Sequence, residues 1–228
     1  MKSNYVKNSK ANESYLKIKK VLDQAIAIAV LVMIAPIFGG LMLAVKLTSP
    51  GPIFFTQKRV GIHKTYFEIL KFRTMRIDTP KDVPTHLLEN PEQYITKVGA
   101  FLRKTSLDEL PQLINIAKGE MAIVGPRPAL WNQFDLIEER DKYGANDLLP
   151  GLTGWAQING RDELEIPIKA RYDGYYARKV SPLLDIVCIV GTVVSVLHQD
   201  GVVEGGTGAL SKENADSTEN GEETAETE

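Results

Sequence analysis

The sequence predicts an α+β protein, mostly helical, with one small β-hairpin and a Pro-broken apolar segment near its N-terminus. Three observations carry this reading. Residues 25–45 form a 21-residue run without a charge, and Pro36 stands in its middle. Residues 53–60 and 65–74 read as two strands joined around Gly61-Ile62-His63-Lys64. Residues 106–118, 129–143 and 166–179 carry helical patterns separated by Gly- and Pro-rich turns.

Residues 1–20 are polar and Lys-rich, a loosely ordered basic arm that ends in an amphipathic helical start. The uncharged run that follows is long enough, as one helix, to cross about 30 Å of hydrocarbon. Pro36 removes an intrahelical hydrogen bond and clashes with the carbonyl of Val32, and Gly39 and Gly40 loosen the helix further. Basic residues flank both ends: Lys17, Lys19 and Lys20 before the run, Lys46, Lys58, Arg59 and Lys64 after it. A spanning helix concentrates positive charge on one side. A re-entrant hairpin, each half reaching roughly 16 Å, fits both facts. A Pro-kinked spanning helix fits the composition equally well.

Residues 48–52 form a Pro/Gly turn out of this segment. On the second strand, alternation puts Phe67, Ile69, Lys71 and Arg73 on one face and Tyr66, Glu68, Leu70 and Phe72 on the other. Residues 76–95 are polar and Pro-broken, read as short helices and loops. Gly125-Pro126-Arg127-Pro128 is a rigid turn, and residues 150–161 form a Gly-punctuated loop. Ser181-Pro182 starts a last helix, whose apolar stretch 186–197 is too short to span a bilayer. It packs in the core or lies in the membrane interface, and core packing is the expectation.

The formal net charge of −2 hides an uneven distribution. From Gly205 onward, seven acidic residues face one lysine, Lys212, so the tail carries about −6 and the remaining body about +4. The tail's composition cannot bury enough apolar surface to fold. A mildly basic body suits phosphate-bearing partners and is too weak to indicate nucleic acid. Cys188 is the only cysteine, so no intramolecular disulfide can form. His63, His86 and His198 lack zinc-ligand spacing. No P-loop, dinucleotide fingerprint, nucleophile elbow or internal repeat is present.

The densest chemistry lies in Arg103-Lys104-Thr105-Ser106-Leu107-Asp108-Glu109-Leu110-Pro111-Gln112. Ser106 and Glu109 have the spacing of a capping box, and Pro111 suits a first helical turn. That places Asp108 and Glu109 at a helix N-terminus, where the dipole favours negative charge or an incoming phosphate. On this stretch alone, ordinary capping explains both carboxylates. Adjacent helical residues point about 100° apart, so one could attack while the other holds a metal. Lys71, Arg73, Arg103, Arg127 and Arg161 stand beside the carboxylates or in rigid turns, and arginine there suits bidentate phosphate recognition. Taken one at a time, each is a surface charge.

Five segments occur together and in order: Lys71 to Met75, Arg103 to Gln112, Gly125 to Pro128, Pro150 to Arg161, and Tyr172-Asp173-Gly174-Tyr175-Tyr176. In these the chain, over roughly residues 20–203, resembles the catalytic domain of the bacterial sugar transferases, the monotopic phosphoglycosyl transferases. The resemblance implies a largely helical α+β catalytic domain at residues 49–204. A re-entrant helix at 20–48 and interfacial helices would hold it on the cytoplasmic face of the bacterial plasma membrane. A basic arm (1–19) and a disordered acidic tail (205–228) lie outside it. It implies a UDP-sugar donor, undecaprenyl phosphate as acceptor, UMP release and a covalent phosphosugar-enzyme. Asp108 matches the nucleophile and Glu109 the Mg²⁺ ligand. Lys71, Arg73, Arg103, Arg127, Arg161 and Asp173 match positions that line or organise the site. One departure is visible: many members carry Ser before the helix-breaking Pro, where this chain has Ala35. The extra N-terminal membrane helices of larger relatives are not seen, so a polytopic protein is not expected.

Two rival readings belong to other classes. A non-catalytic membrane-surface module recruiting glycan-assembly enzymes would make Asp108 and Glu109 mere caps. A direct glycosyltransferase would release UDP. The motifs leave the sugar and the glycan pathway open. As a hypothesis, the acidic tail pairs with the basic arm of another copy in a homo-oligomer. Unchanged self-association after deleting residues 205–228 would count against that.

Overall fold

The computed structural model describes residues 10–79, 91–160 and 164–198. Residues 80–90, Arg161 and the acidic tail therefore lie outside the described residues. Helices α1 (Lys10–Met33) and α2 (Ala35–Thr48) come first, followed by strands β1 (Phe54–Val60) and β2 (Tyr66–Phe72). Next are α3 (Lys97–Lys104), α4 (Gln112–Lys118), β3 (Ala122–Val124) and α5 (Phe134–Asp141). The chain continues through β4 (Gly151–Thr153), α6 (Trp155–Ile158), α7 (Ile166–Lys179) and α8 (Pro182–His198). The architecture is α+β and mostly helical, as the sequence predicts.

The apolar run breaks where proline demands it. Backbone hydrogen bonds continue to Ile34 N–H on Val30 O and resume with Phe38 N–H on Ile34 O, each at 2.9 Å or less. Pro36 occupies the first turn of α2, where a missing N–H costs nothing. The two helices meet at a 70° bend. Among the described residues no single helix is long and apolar enough to cross a membrane, whereas the bent α1–α2 pair passes that test together. The bend forms with Ala35 in place of a hydroxyl-bearing residue.

The hairpin organises the rest. β1 and β2 pair antiparallel with Phe55 opposite Lys71 and Lys58 opposite Glu68. Its turn, residues 61–65, runs through His63 and Lys64 at φ 52° and 60° and is closed by Gly61 N–H on Thr65 O at 2.7 Å. Ile69 packs with Ala27 of α1 and with Leu113 and Ile116 of α4. Phe72 packs with Val45 of α2 and Leu102 of α3. The hairpin thus packs one side chain, Ile69, against α1 and α4, and another, Phe72, against α2 and α3, while α1 also packs directly on α4. A third cluster joins β3, α7 and α8 through Val124, Tyr176, Ala177 and Cys188.

Four expectations are corrected. Residues 106–118 are not one helix: a 3-10 turn at Leu107–Glu109 precedes α4. The helix expected at 129–143 starts only at Phe134, because Ala129 and Leu130 run against β1, with Val60 N–H on Ala129 O at 3.0 Å. The loop expected at 150–161 opens with β4, which pairs in parallel with β3. Finally, α8 is only half in the core. Cys188 is fully buried, while Leu183, Ile186, Val190 and Val193 on its outer face are more than half exposed.

Candidate active site

Asp108 and Glu109 sit in the 3-10 turn between α3 and α4. The turn is entered through Ser106 at φ 55°, a left-handed conformation that costs a non-glycine residue about 1 kcal/mol. The capping box does not form: Ser106 makes no side-chain cap bond, and only its carbonyl is met by Glu109 N–H, at 3.3 Å. The carboxylates also precede α4 instead of sitting in its first turn, and α4 has only seven residues, so a helix dipole explains little here. Both side chains lie against cations.

Lys71 leaves β2 toward them. Its Nζ lies 2.7 Å from Glu109 Oε1 and 3.9 Å from Asp108 Oδ2. Arg127, in its Pro-flanked turn, brings Nη2 to 3.6 Å from Glu109 Oε1. Arg103, in the last turn of α3, donates Nε–H to Thr74 Oγ1 at 2.8 Å, which fixes its direction. Burial pushes the Asp108 carboxyl above the ordinary carboxylate range. Lys71 pulls it back, Glu109 raises it, and Arg103 and Arg127 pull it down more weakly. Asp108 is thus a desolvated carboxylate within a ring of cations, an arrangement that favours nucleophilicity and an anionic substrate together.

Other predicted residues stand elsewhere. Arg73 is buried, and its guanidinium donates to Ser49 O at 2.7 Å and to Pro50 O, gripping the exit from α2. Asp173 is 1 % exposed and accepts from Arg140 Nε at 2.8 Å, with Nη2 at 2.6 Å. Burial raises its carboxyl, and Arg140 and Lys169 oppose that rise. Of the predicted set, the structure brings Lys71, Arg103, Asp108, Glu109 and Arg127 together. Arg73 and Asp173 are tied into the scaffold, and Arg161 lies outside the described residues.

Sequence reasoning missed two residues that hold this geometry. Arg140 is the partner that makes Asp173 tolerable inside the core. Asn115, fully buried on α4, accepts from Leu70 N–H at 3.0 Å and donates to Glu68 O at 2.8 Å and to Glu120 Oε2 at 2.7 Å. It thereby clamps β2 to α4 one residue before Lys71. A lone polar residue in the run Leu113-Ile114-Asn115-Ile116 was the available signal.

Asp108 and Glu109 supply hard oxygen donors, the type Mg²⁺ takes as one or two carboxylates beside phosphate oxygens. Among the described residues no cluster of three or more His, Cys, Asp or Glu side chains could enclose a metal unaided. A pair that shares the ion with a phosphate substrate is the arrangement these residues fit.

The sequence matches a family model and several known proteins. A family model described as "Bacterial sugar transferase" matches residues 14–199. The chain is 36 % identical over 192 residues to the exopolysaccharide production protein ExoY of Sinorhizobium fredii, covering 78 % of this chain and 84 % of that one. It is 40 % identical over 183 residues to a UDP-glucose:undecaprenyl-phosphate glucose-1-phosphate transferase of Escherichia coli, covering 77 % of this chain and 39 % of that one. An N-acetylgalactosaminephosphotransferase of Aeromonas hydrophila acting on undecaprenyl phosphate is 33 % identical over 190 residues, 80 % of this chain and 44 % of its own length. The chain therefore spans under half the length of the last two relatives. With the family model covering most of its length, the chain belongs to the bacterial sugar transferase family.

Proposed function

We propose that this protein primes glycan assembly by moving a sugar-1-phosphate from a UDP-sugar to undecaprenyl phosphate at a membrane surface. The observation that carries the reading is Asp108: buried, raised above the ordinary carboxylate range, and surrounded by Lys71, Arg103 and Arg127. In the first step an Asp108 carboxylate oxygen attacks the sugar-proximal phosphorus. The bond from that phosphorus to the UMP oxygen breaks, UMP leaves, and a covalent aspartyl-phosphosugar remains. In the second step a lipid phosphate oxygen attacks the same phosphorus and the Asp108 carboxylate departs, giving a polyprenyl diphosphosugar. Splitting the transfer this way replaces one hard displacement by two easier ones.

Lys71 and Arg127 stabilise charge on the transferring phosphoryl group and hold Glu109 in place. Mg²⁺, held by Glu109 with Asp108 adjacent, would neutralise charge on the donor diphosphate. Arg103 orients from α3, and Arg161, which follows residues 150–160 in the sequence, would add a further phosphate-binding cation. Arg73 and Asp173 act through the scaffold. The acceptor phosphate lies at the headgroup level, so the site must lie there too. The bent α1–α2 pair reads as a re-entrant anchor, with its basic flanks on the cytoplasmic face, and the exposed apolar side of α8 reads as an interfacial helix. Relatives are named for glucose and for N-acetylgalactosamine, so the donor is to be found by a panel. The product would feed exopolysaccharide, capsule or glycoconjugate synthesis.

The test is nucleotide release in nanodiscs from a panel of UDP-sugars, with and without undecaprenyl phosphate and Mg²⁺. UMP release that turns over only with lipid, and a radiolabelled phosphosugar trapped on wild-type protein when lipid is withheld, is the expected result. UDP as the released nucleotide would overturn the phosphosugar mechanism. No release with any donor would return Asp108 and Glu109 to a binding module.

A further inference from the structure

A second cluster of buried charge lies outside the carboxylate site. Lys19 and Asp23 of α1, Asp185 of α8 and Tyr176 of α7 are each more than nine-tenths buried. Lys19 Nζ lies 2.7 Å from Asp23 Oδ2 and 3.1 Å from Asp185 Oδ2. Tyr15 and Tyr176 donate their hydroxyls to the two oxygens of Asp185 at 2.7 and 2.6 Å. Two aspartates, one lysine and two tyrosines thus join α1, α7 and α8. Burying charges is costly unless every one is met, so a lipid-facing helix would need none of this merely to sit in a bilayer.

The cluster also grips backbone that leads to the active site. Asp23 Oδ2 accepts from Ile123 N–H at 3.1 Å, and Tyr176 Oη lies 3.1 Å from Val124 O. The neighbouring residue Gln24 donates to Ala117 O at 3.0 Å. Ala117 lies in the last turn of α4 and Ile123 in the middle of β3, so adjacent residues of α1 hold the two elements on either side of their connection. The other end of α4 begins three residues after Glu109. The other end of β3 is Val124, three residues before Arg127. β4 holds β3 from its other side: Val124 opposes Thr153, and Gly125 N–H bonds Thr153 O at 2.8 Å.

We propose that Asp23, Gln24 and Tyr176 are positioning residues for the transfer reaction, fixing the α4–β3 connection and through it the 3.6 Å approach of Arg127 to Glu109. The inference rests on the function proposed above. It makes catalytic geometry depend on α1 being seated, so the membrane segment is part of the catalytic frame as well as an anchor. A displacement of about 1 Å at a phosphate-binding side chain is enough to cost one to two orders of magnitude in rate.

The test uses the full chain in nanodiscs and reads KM for the UDP-sugar and the rate of UMP release. Asp23→Ala and Tyr176→Phe are each combined with Arg127→Lys, which keeps the charge and loses the planar fork. In the wild-type background each is expected to raise donor KM about tenfold. In the Arg127→Lys background each is expected to add less than about twofold, because residues acting through one another are not additive. A merely structural clamp would lower the yield of folded protein and multiply with Arg127→Lys, and that multiplication would overturn the proposal. An unchanged KM in both single variants would overturn it as well. If Asp23→Ala does not fold, Tyr176→Phe, which loses one hydroxyl, decides alone. Failure of wild-type protein to release UMP from any donor would sink the functional reading and this inference with it. Active wild type with multiplying losses would sink the inference only.

Discussion

Lys71 Nζ lies 2.7 Å from Glu109 Oε1, joining the hairpin to the turn that carries both carboxylates. The same ammonium is the largest influence lowering the raised Asp108 carboxyl. The proposed reaction needs Asp108 ionised, so activity should fall as pH drops through its carboxyl pKa, which stands above the usual carboxylate range. Removing Lys71 takes away a stabilising cation and pushes that carboxyl higher still. Lys71→Met is therefore expected to slow UMP release by about 10²- to 10³-fold and to move the acid limb of the pH–rate profile to higher pH. A pH profile of single-turnover release checks this. A slower variant with an unmoved acid limb would place Lys71 on the substrate alone.

Asp108→Asn should separate function from stability. The folded-state carboxyl is raised above its unfolded value, so the folded protein binds protons more readily than the unfolded chain. Stability then falls as pH rises through this window, and at neutral pH the ionised Asp108 opposes folding. Replacing it with a neutral isostere relieves that cost. The expected variant loses at least about 10³-fold in rate and unfolds at a higher temperature than wild type at neutral pH. Towards acid pH the difference should shrink, because Asp108 becomes protonated. Thermal unfolding at two pH values measures it. An equal or lower unfolding temperature at neutral pH would mean the cations more than offset the burial.

How much of this was legible in the sequence follows from the range of each interaction. The proline break, the hairpin and the cation-rich segment around Asp108 are local, and each was readable from spacing. Ser106 defeated the capping-box spacing because its backbone takes a left-handed turn that no side-chain pattern announces. The β3–β4 pair escaped because each strand has three residues, too few to show alternation, and parallel pairing joins segments far apart in the chain. Arg73 shared a predicted face with Lys71, yet the strand ends at Phe72, and past that point alternation stops deciding where a side chain goes. Arg140 and Asp173 are 33 residues apart, and nothing near either one announces the partner.

Arg73 and Arg127 offer a contrast within one residue type. Arg73 donates to two backbone carbonyls at the exit of α2, and burial lowers the pKa of its guanidinium. Arg127 reaches a carboxylate. Arg73→Lys keeps one charge and loses the fork that meets Ser49 O and Pro50 O together. The expected cost is about 1–3 kcal/mol of stability, from carbonyls left unmet in a buried turn. Donor KM per folded molecule should stay within about twofold of wild type, since Arg73 acts through the scaffold. Unfolding in nanodiscs and steady-state kinetics separate the two effects. A raised KM with unchanged stability would make Arg73 a substrate ligand after all.

The 70° bend between α1 and α2 poses a question of magnitude. Proline inside a helix costs about 3 kcal/mol, so Pro36→Ala removes that much of the preference for breaking. Tertiary contacts hold both arms independently. On α2, Phe38 stands 5.0 Å from Phe72 and 6.2 Å from Phe54 by ring centroid, and Val45 is buried beside Phe72 and Leu102. On α1, Lys19 and Asp23 are locked to Asp185 and β3. Burying Val45 alone contributes about 1.5–3 kcal/mol, half-buried Phe38 adds to it, and straightening would give up both arms. The bend is therefore expected to survive Pro36→Ala, and on the proposed re-entrant path the N-terminus stays on the face that carries the catalytic domain. A cysteine at Ser14 reports this through a membrane-impermeant thiol reagent in sealed vesicles. Cys188 stays silent there, because it is buried and its thiol is pushed up to about 11. Labelling from the opposite face after Pro36→Ala would show that the proline, and not the packing of Phe38 and Asp23, sets the path of the chain.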